Sequence, residues 1–327
     1  MKIEELIAKL PAEIRKLLSK QPMSEGELAD ALDVSPAKVR QAIGELRSQG
    51  LNISNVAHGR LLLNNIIETG GHRVLKADKD GWHHFGFTTD NHLASKKSRL
   101  DVLNAAYDHF EREGIKTVLN AGNAIEGEAR FNKQELLVWG MERQVEYWIE
   151  QMPVKKDMET LFVTGDDHEG WYAQRECINI GSFMQSKAEQ SGRKDLQYLG
   201  HVEADIELQY NGKSTIVRPM HPGGGSAYAL SYAPQKIVES FQGGEKPSVL
   251  FIGHYHKFDY CYPREVHVVS GGCTCDQTMF MRKNKIAAHV GYMTVRIKQA
   301  KTDGHVERVL VEWVPFYDRG YYRRDFE

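Results

Sequence analysis

The feature that most constrains this chain is a set of five short loops in which histidine and carboxylate recur. They read Thr89-Asp90-Asn91-His92, Ala121-Gly122-Asn123-Ala124-Ile125-Glu126-Gly127, Thr164-Gly165-Asp166-Asp167-His168-Glu169-Gly170, Met220-His221-Pro222-Gly223 and Gly253-His254-Tyr255-His256. Strand-like runs (Gly86–Thr89, Thr117–Ala121, Leu161–Thr164 and Val249–Ile252) precede four of the loops, and Ser214–Met220 precedes the other. Longer segments of helical character, Lys96–Glu113, Phe131–Gln151 and Ala227–Phe241, alternate with them. Ala204–Tyr210 pairs naturally with Ser214–Met220, and further strands are expected at Val266–Ser270, Tyr292–Lys298 and His305–Val314. This order predicts an α/β layered domain whose polar loops emerge at strand ends, where open sheets usually bind ligands.

With 327 residues the chain can build one large domain and a small one. Hydrophobic residues make up 41% and charged residues 26%, which suits a soluble globular core. The net charge of −2 excludes a global basic field that would advertise nucleic acid, while leaving a local basic surface open. No run of about 18 apolar residues suggests a membrane span. The charged N-terminus lacks the apolar stretch of a signal peptide, so a cytoplasmic protein is expected. Cys177, Cys261, Cys273 and Cys275 form no C-x-x-C pair and read as reduced thiols there.

The first 68 residues follow a different pattern. Ile3, Leu6, Ile7, Leu10, Ile14, Leu17 and Leu18 recur at helical spacing, and Pro11 is expected to bend or split that helix. Ser24 and Glu27 form a capping-box signature opening Glu25–Leu32. After a turn at Asp33-Val34-Ser35, Ser35 and Pro36 open a second helix that runs to about Gln49. Asn52–Val56 and Arg60–Leu63 flank His58-Gly59 as a tight hairpin. The segment SEGELADALDVSPAKVRQAIGELRSQGL, with apolar Leu28, Ala31, Leu32, Val34, Val39, Ile43 and Leu46, resembles the winged helix-turn-helix family. The resemblance implies a recognition helix presenting Lys38, Arg40, Gln41 and Arg47 to DNA. Nine basic and nine acidic residues between Met1 and Gly70 cancel, which suits a protein partner equally well. The expected division is therefore 1–68 and 69–327, with DNA as the expected partner.

Taken in order, the five loops supply D-N-H, G-N-A-I-E, D-D-H-E, an isolated H and G-H-Y-H. Chance would supply only roughly 0.05 copies of G-H-x-H in such a composition. The series resembles the calcineurin-like metallophosphoesterases, whose pattern is D-x-H, G-D-x-x-[DE], G-N-H-[DE], H and G-H-x-H. The resemblance implies a β-sandwich flanked by helices that holds two divalent cations. By position, Asp90, His92 and His256 would hold one, and Asp167, His221 and His254 the other. Asn123 takes the place of the bridging aspartate, and His168 that of the histidine assisting the leaving group. The nitrogen and oxygen donors favour Mn²⁺ or an Fe/Mn pair, with Zn²⁺ as an alternative. Such a pair would neutralise the phosphoryl group and activate a water, and the implied attack is by metal-bound hydroxide on phosphorus. His168 would protonate the departing oxygen.

Two positions depart from the family. A neutral amide at Asn123 is a weak bridging ligand, while Asp167 stands where the family has asparagine, so the carboxylate count is redistributed. Asn123 is open to three accounts: an engineered substitution that inactivates, a natural exchange compensated by Asp167, or a degenerate site. Asp166 replaces a glycine and either supports the ligands or is simply solvated. Arg130, Lys133, Arg143, Trp171, Tyr172 and Arg175 lie nearby in sequence, as substrate contacts or as ordinary surface and packing. Joined to a helix-turn-helix, the domain is expected to act on DNA as a nuclease or end-processing phosphodiesterase. The alternatives are a phosphatase or cyclic-nucleotide phosphodiesterase, or a DNA-binding regulator with a degenerate metal domain. The pairing of modules also resembles bacteriophage proteins.

Overall fold

A computed structural model describes residues 3–18, 21–48, 53–56, 59–63, 71–225 and 227–316. Contacts divide the chain into two compact units, Met1–Ile67 with Tyr172–Ser186, and Glu68–Trp171 with Lys187–Glu327.

The smaller unit begins with α1 (Ile3–Leu18), β1 (Met23–Ser24), α2 (Glu25–Leu32), α3 (Pro36–Ser48), β2 (Ile53–Val56) and β3 (Arg60–Leu63). Its three strands pair in the order β1-β3-β2. Of the expected bend or split at Pro11 the split does not occur, and α1 runs through it as one helix. Leu10, Ile14 and Leu18 recur every four residues on one buried face, and that packing offsets the hydrogen bond the proline forfeits. Ser24 accepts from the Glu27 amide while Glu27 accepts from the Ser24 amide, so the capping box forms as read. Asp33 closes α2 in the left-handed region at φ 52°. Val39, Ile43 and Leu46 of α3 are buried with Leu28 and Ala29 of α2. Ala31, expected inside, is exposed because Ala29 takes the inward position on that short helix. Residues 57–58 of the expected turn lie outside the described residues.

The larger unit holds twelve described strands. In chain order these are β4 (Gly71–Lys76), β5 (Trp82–Thr88), β6 (Thr117–Ala121), β7 (Glu159–Thr164), β8 (Leu196–His201) and β9 (Ala204–Tyr210), then β10 (Lys213–Met220), β11 (Val249–Ile252), β12 (Phe258–Cys261), β13 (His267–Gly271), β14 (Gly291–Gln299) and β15 (Val306–Pro315). They form two six-stranded sheets, ordered β15-β14-β5-β6-β7-β8 and β12-β13-β11-β10-β9-β4. Phe85, Phe87, Leu119, Leu161, Met293 and Val295 of the first meet Ile206, Leu208, Val217, Val249, Phe251 and Val269 of the second in one fully apolar cluster. The two sheets are therefore packed face to face.

Helices cover the outer faces: α4 (Leu100–Arg112) lies against β5 and β14 through a buried stripe that includes Val102, Leu103, Ala106 and Phe110. α5 (Met141–Gln151) follows in this unit, whereas nearly all of α6 (Trp171–Glu176) and most of α7 (Ile180–Gln190) belong to the smaller one. Val238 of α8 (Tyr232–Ser240) packs on Leu250, Ile252 and Val268 of the second sheet, and α9 (Met279–Lys283) follows. This is the layered α/β sandwich that the sequence implied.

The expected helix over Phe131–Gln151 is shorter. Residues 133–135 form a single 3₁₀ turn and regular helix begins only after Gly140, whose φ of 91° interrupts it. Within the first sheet β5, β6 and β7 are mutually parallel, as are β10 and β11 within the second. All five polar loops leave the C-terminal ends of these strands, which brings them to one edge of the sandwich.

Candidate metal centre

The loops are shaped by unusual backbone. Asp90, His92, Asn123, His168, His254 and His256 all have positive φ, between 35° and 76°. Non-glycine residues rarely occupy this region, and each such placement costs of order 1 kcal/mol or more. Clustered at one place, they show loops forced to aim side chains inward. The glycines serve the same purpose: a Cβ on Gly122 would stand 2.5 Å from His221 Nδ1, and one on Gly165 2.6 Å from His221 Cδ2. The His221 imidazole fills the slot between two backbones, which explains a glycine in both loops.

The side chains converge as two clusters. In the first, Asp90 Oδ1 lies 3.4 Å from His256 Nε2 and 3.8 Å from His92 Nε2, and the two imidazole nitrogens are 3.3 Å apart. In the second, Asp167 Oδ1 is 3.3 Å from His221 Nε2, and Asp167 Oδ2 is 3.2 Å from His254 Nδ1. Asn123 joins them: its Nδ2 is 3.4 Å from Asp90 Oδ1, and its Oδ1 faces Gly165 beside His221 Nε2. The structure thus brings together all seven residues that the family resemblance named at metal positions. Donors bound to one ion at about 2.0–2.2 Å stand roughly 2.8–3.6 Å from each other, and all the separations here fall in that range except the 3.8 Å between Asp90 and His92.

Hydrogen bonding explains which nitrogen of each ring is available. His92 Nδ1 donates to Glu126 Oε2 at 2.9 Å and His221 Nδ1 to the Ala121 carbonyl at 2.6 Å. His254 Nε2 donates to the Gly224 carbonyl at 2.6 Å, and His256 Nδ1 lies 3.6 Å from Cys275 Sγ. Each ring is tethered through its outer nitrogen and turns the other inward, the arrangement that prepares imidazoles as ligands. Asn123 Oδ1, Asp167 Oδ1, His221 Nε2 and His254 Nδ1 are buried without a hydrogen-bond partner. Such orphans are costly unless something else satisfies them, and a cation among them would.

Electrostatics agree. Burial opposes the Asp90 carboxylate, yet His256 and His92 beside it hold its pKa below the ordinary carboxylate range. Burial likewise opposes charge on Asp167, and His221 and His254 reverse the effect. Desolvation disfavours the His221 imidazolium, but Asp167 and Asp90 outweigh it and lift the pKa to about 9. Glu169 is wholly buried, which pushes its carboxyl up to about 7, and it accepts from the amides of Asn123, Gly165 and Ile125. One side chain thereby staples the second loop to the third.

His168 lies beside these ligands, its ring 4.4 Å from that of His92. Its Nδ1 donates to the Glu126 carbonyl at 2.9 Å, leaving Nε2 available. Burial and the neighbouring His92 lower its pKa, so at neutral pH it is an uncharged imidazole. It lines a cavity of about 290 Å3 together with His92, Asp167, His254 and His256, and with Phe131, Trp171, Tyr255, Phe280, Met281 and Ile286 on the apolar side.

Of the other sequence candidates, Trp171 lines this cavity, whereas Arg130, Lys133 and Arg143 do not. Asp166 points to His201, its Oδ1 3.7 Å from His201 Nε2. In the smaller unit Lys38, Arg40, Gln41 and Arg47 are exposed on α3. Arg40 pairs with Glu25 at 2.9 Å, Gln41 with Glu45 at 3.1 Å, and Arg47 with the Ile53 carbonyl at 2.9 Å. Glu126, Glu169, Cys275 and Gly224 were not assigned roles from sequence. The two glutamates lie inside the motifs above and Cys275 is half of a weak C-x-C metal signal, whereas nothing in the sequence marks the carbonyl.

No family model matches the chain, and no curated relative matches it. Solved structures do show remote likeness. An archaeal phosphodiesterase has 11% identity and a TM-score of 0.37 over 71% of this chain and 100% of its own. The Escherichia coli phosphoesterase YfcE has 13% identity and a TM-score of 0.38, covering 70% and 98%. Zinc-complexed Vps29 from Entamoeba histolytica has 13% identity and a TM-score of 0.33, covering 72% and 100%.

Proposed function

We propose that this protein is a metal-dependent phosphoester hydrolase with two cation sites. Asp90, His92 and His256 would hold one ion, Asp167, His221 and His254 the other, and Asn123 would stand between them. The observation that carries the reading is the set of buried, partnerless donor atoms facing one another while each histidine is tethered from behind. When bound, two divalent cations neutralise phosphoryl charge and make a water nucleophilic at neutral pH. The mixed oxygen and nitrogen donors suit Mn²⁺ or an Fe/Mn pair, with Zn²⁺ next. His168, held at Nδ1 and uncharged at neutral pH, leaves Nε2 free to take up a proton and pass it to the departing oxygen.

The narrower reading is that the ester belongs to a nucleic acid, delivered by the N-terminal unit as a winged helix-turn-helix. The order of helices and strands in that unit supports it, as does the exposure of Lys38, Arg40, Gln41 and Arg47. Among the described residues that line the cavity none is lysine or arginine, which favours a chain terminus or small nucleotide over an internal stretch with flanking phosphates.

Elemental analysis of the Mn²⁺-equilibrated protein, with turnover of a chromogenic diester and of single-stranded, duplex and 3′-phosphorylated DNA, tests both. Uptake of two ions with hydrolysis is expected. A protein that takes up no metal is a binding regulator instead, and one that cleaves only small esters sinks the nucleic-acid reading. Since Asn123 weakens the bridge, the same assays are run on Asn123→Asp.

A further inference from the structure

The cavity beside the two clusters has a feature that hydrolysis of a phosphoester does not itself require. From the ligand His92 a row of rings runs outward: His168 at 4.4 Å, Phe131 at 5.4 Å from His168, and Phe280 at 5.0 Å from Phe131. Phe131 and Phe280 come from distant parts of the chain, yet their rings adjoin, tilted by 37°, and both are 44% exposed. Adjoining apolar rings left half in water at the rim of a polar cavity form the kind of patch that marks a ligand-binding surface. The occupant is constrained by charge. Among the described lining residues no lysine or arginine is present to meet a second phosphate, while Glu126, Glu135 and Asp167 are acidic. What enters beyond the phosphoryl position should therefore carry no further negative charge, and the two adjoining half-exposed rings offer it aromatic faces to lie against.

The geometry points to Phe131 and Phe280 as a stacking platform for a nucleobase, whose phosphate lies over the metal clusters. This rests on the hydrolase reading above and deepens it to a nucleotide ester. Stacking on aromatic side chains tolerates any base, because each presents a π face, so discrimination among bases is not expected. His168, whose ring meets that of Phe131 edge-on, then stands between base and phosphate, where the ester oxygen that departs must pass.

The test uses the full chain loaded with Mn²⁺ and titrated with adenosine 5′-monophosphate and with ribose 5-phosphate, which share a phosphate and sugar and differ in the base. Calorimetry should show the nucleotide binding about ten-fold more tightly. Phe131→Leu with Phe280→Leu keeps apolar volume and removes the π faces. The double variant should abolish that ten-fold difference and leave ribose 5-phosphate affinity unchanged, which also reports an intact fold. Equal binding of the two ligands to the unsubstituted protein overturns the platform, as does a variant that loses affinity for both alike. A 5′-phosphorylated oligothymidylate separates the sources of the base: affinity rising with length indicates a strand end, and affinity equal to the mononucleotide indicates a free nucleotide. In both cases the double variant must weaken binding. A protein that binds no metal fails the hydrolase reading and takes this inference with it, whereas metal-loaded protein that hydrolyses esters yet binds the nucleotide and ribose 5-phosphate alike fails the platform alone.

Discussion

The two ligand clusters are built from the same residue types but are satisfied in different ways. In the first, Asp90 is fully buried and its histidines lean on side chains, Glu126 behind His92 and Cys275 behind His256. Its inward nitrogens sit 3.3 Å apart, close enough to share a proton. In the second, Asp167 is 33% exposed, and its histidines hang from main-chain carbonyls of Ala121 and Gly224. All four partnerless atoms, that of Asn123 included, lie on this side. Without an ion both clusters hold a proton, between the facing imidazole nitrogens in the first and on His221 beside Asp167 in the second. Both therefore exchange a proton for a cation, and the second also gains a partner for the Asn123 and His254 atoms that hydrogen bonds leave unsatisfied.

Asn123→Asp gives the largest effect that follows. A carboxylate between the clusters supplies the missing bridge, and diester turnover should rise at least about a hundred-fold with tighter uptake of the second ion. Unchanged turnover at full metal occupancy would show that the amide is no handicap. Next comes Glu126→Gln, which weakens the acceptor behind His92 alone. Affinity should fall about ten- to a hundred-fold for one ion and stay constant for the other, as read by competitive metal titration. An equal loss at both would erase the distinction drawn between the clusters.

Acidity bears on both clusters, because the burial of His92, His256 and His221 is outweighed by neighbouring carboxylates, which raise the pKa of all three. The raised pKa of His221, about 9, means that at pH 7 its proton must leave before a cation binds. Mn²⁺ affinity should climb with pH up to about 9, roughly ten-fold per unit for each proton released, and the binding enthalpy should vary with buffer. In metal-free protein the sign is opposite. A folded pKa above the unfolded one contributes stability that is complete below about 6.5 and is lost as pH rises through about 9. The depressed Asp90 and Asp167 contribute stability that is present above about 4 and disappears on acidification. Melting temperatures across pH 3–10, with and without Mn²⁺, check both limbs. The smallest change is expected far from the metals: Lys38→Ala should leave stability within about 0.5 kcal/mol and lower the salt dependence of DNA binding by about one counterion. A DNA affinity that ignores this lysine counts against α3 as the reading helix.

Much of this was legible in the chain because the signal was local. Thr117–Ala121 and Val249–Ile252 form strands with the bounds their apolar runs suggested, and the metal-type residues fall at strand ends as read. The Ser24–Glu27 box needed only four residues of context. What escaped depends on distance. Glu126 meets His92 across 34 positions, and Cys275 reaches His256 across the strand β13. The Ala121 carbonyl that orients His221 is 100 residues away and is a group every residue carries, so no side-chain pattern could mark it. Phe131 and Phe280 likewise looked like ordinary apolar residues until the fold placed their rings together.

The left-handed backbone of Asp90, His92, Asn123, His168, His254 and His256 has a consequence for motion. Each of these residues would relax on leaving its loop, so the loops are sprung and local opening is easier there than in the strands that feed them. Amide hydrogen exchange should be fast across these segments in the metal-free chain and slow on loading, while β6 and β11 exchange slowly throughout. A cation would thus act as a latch on the edge of the sandwich, setting how often the loops open as well as what chemistry they host.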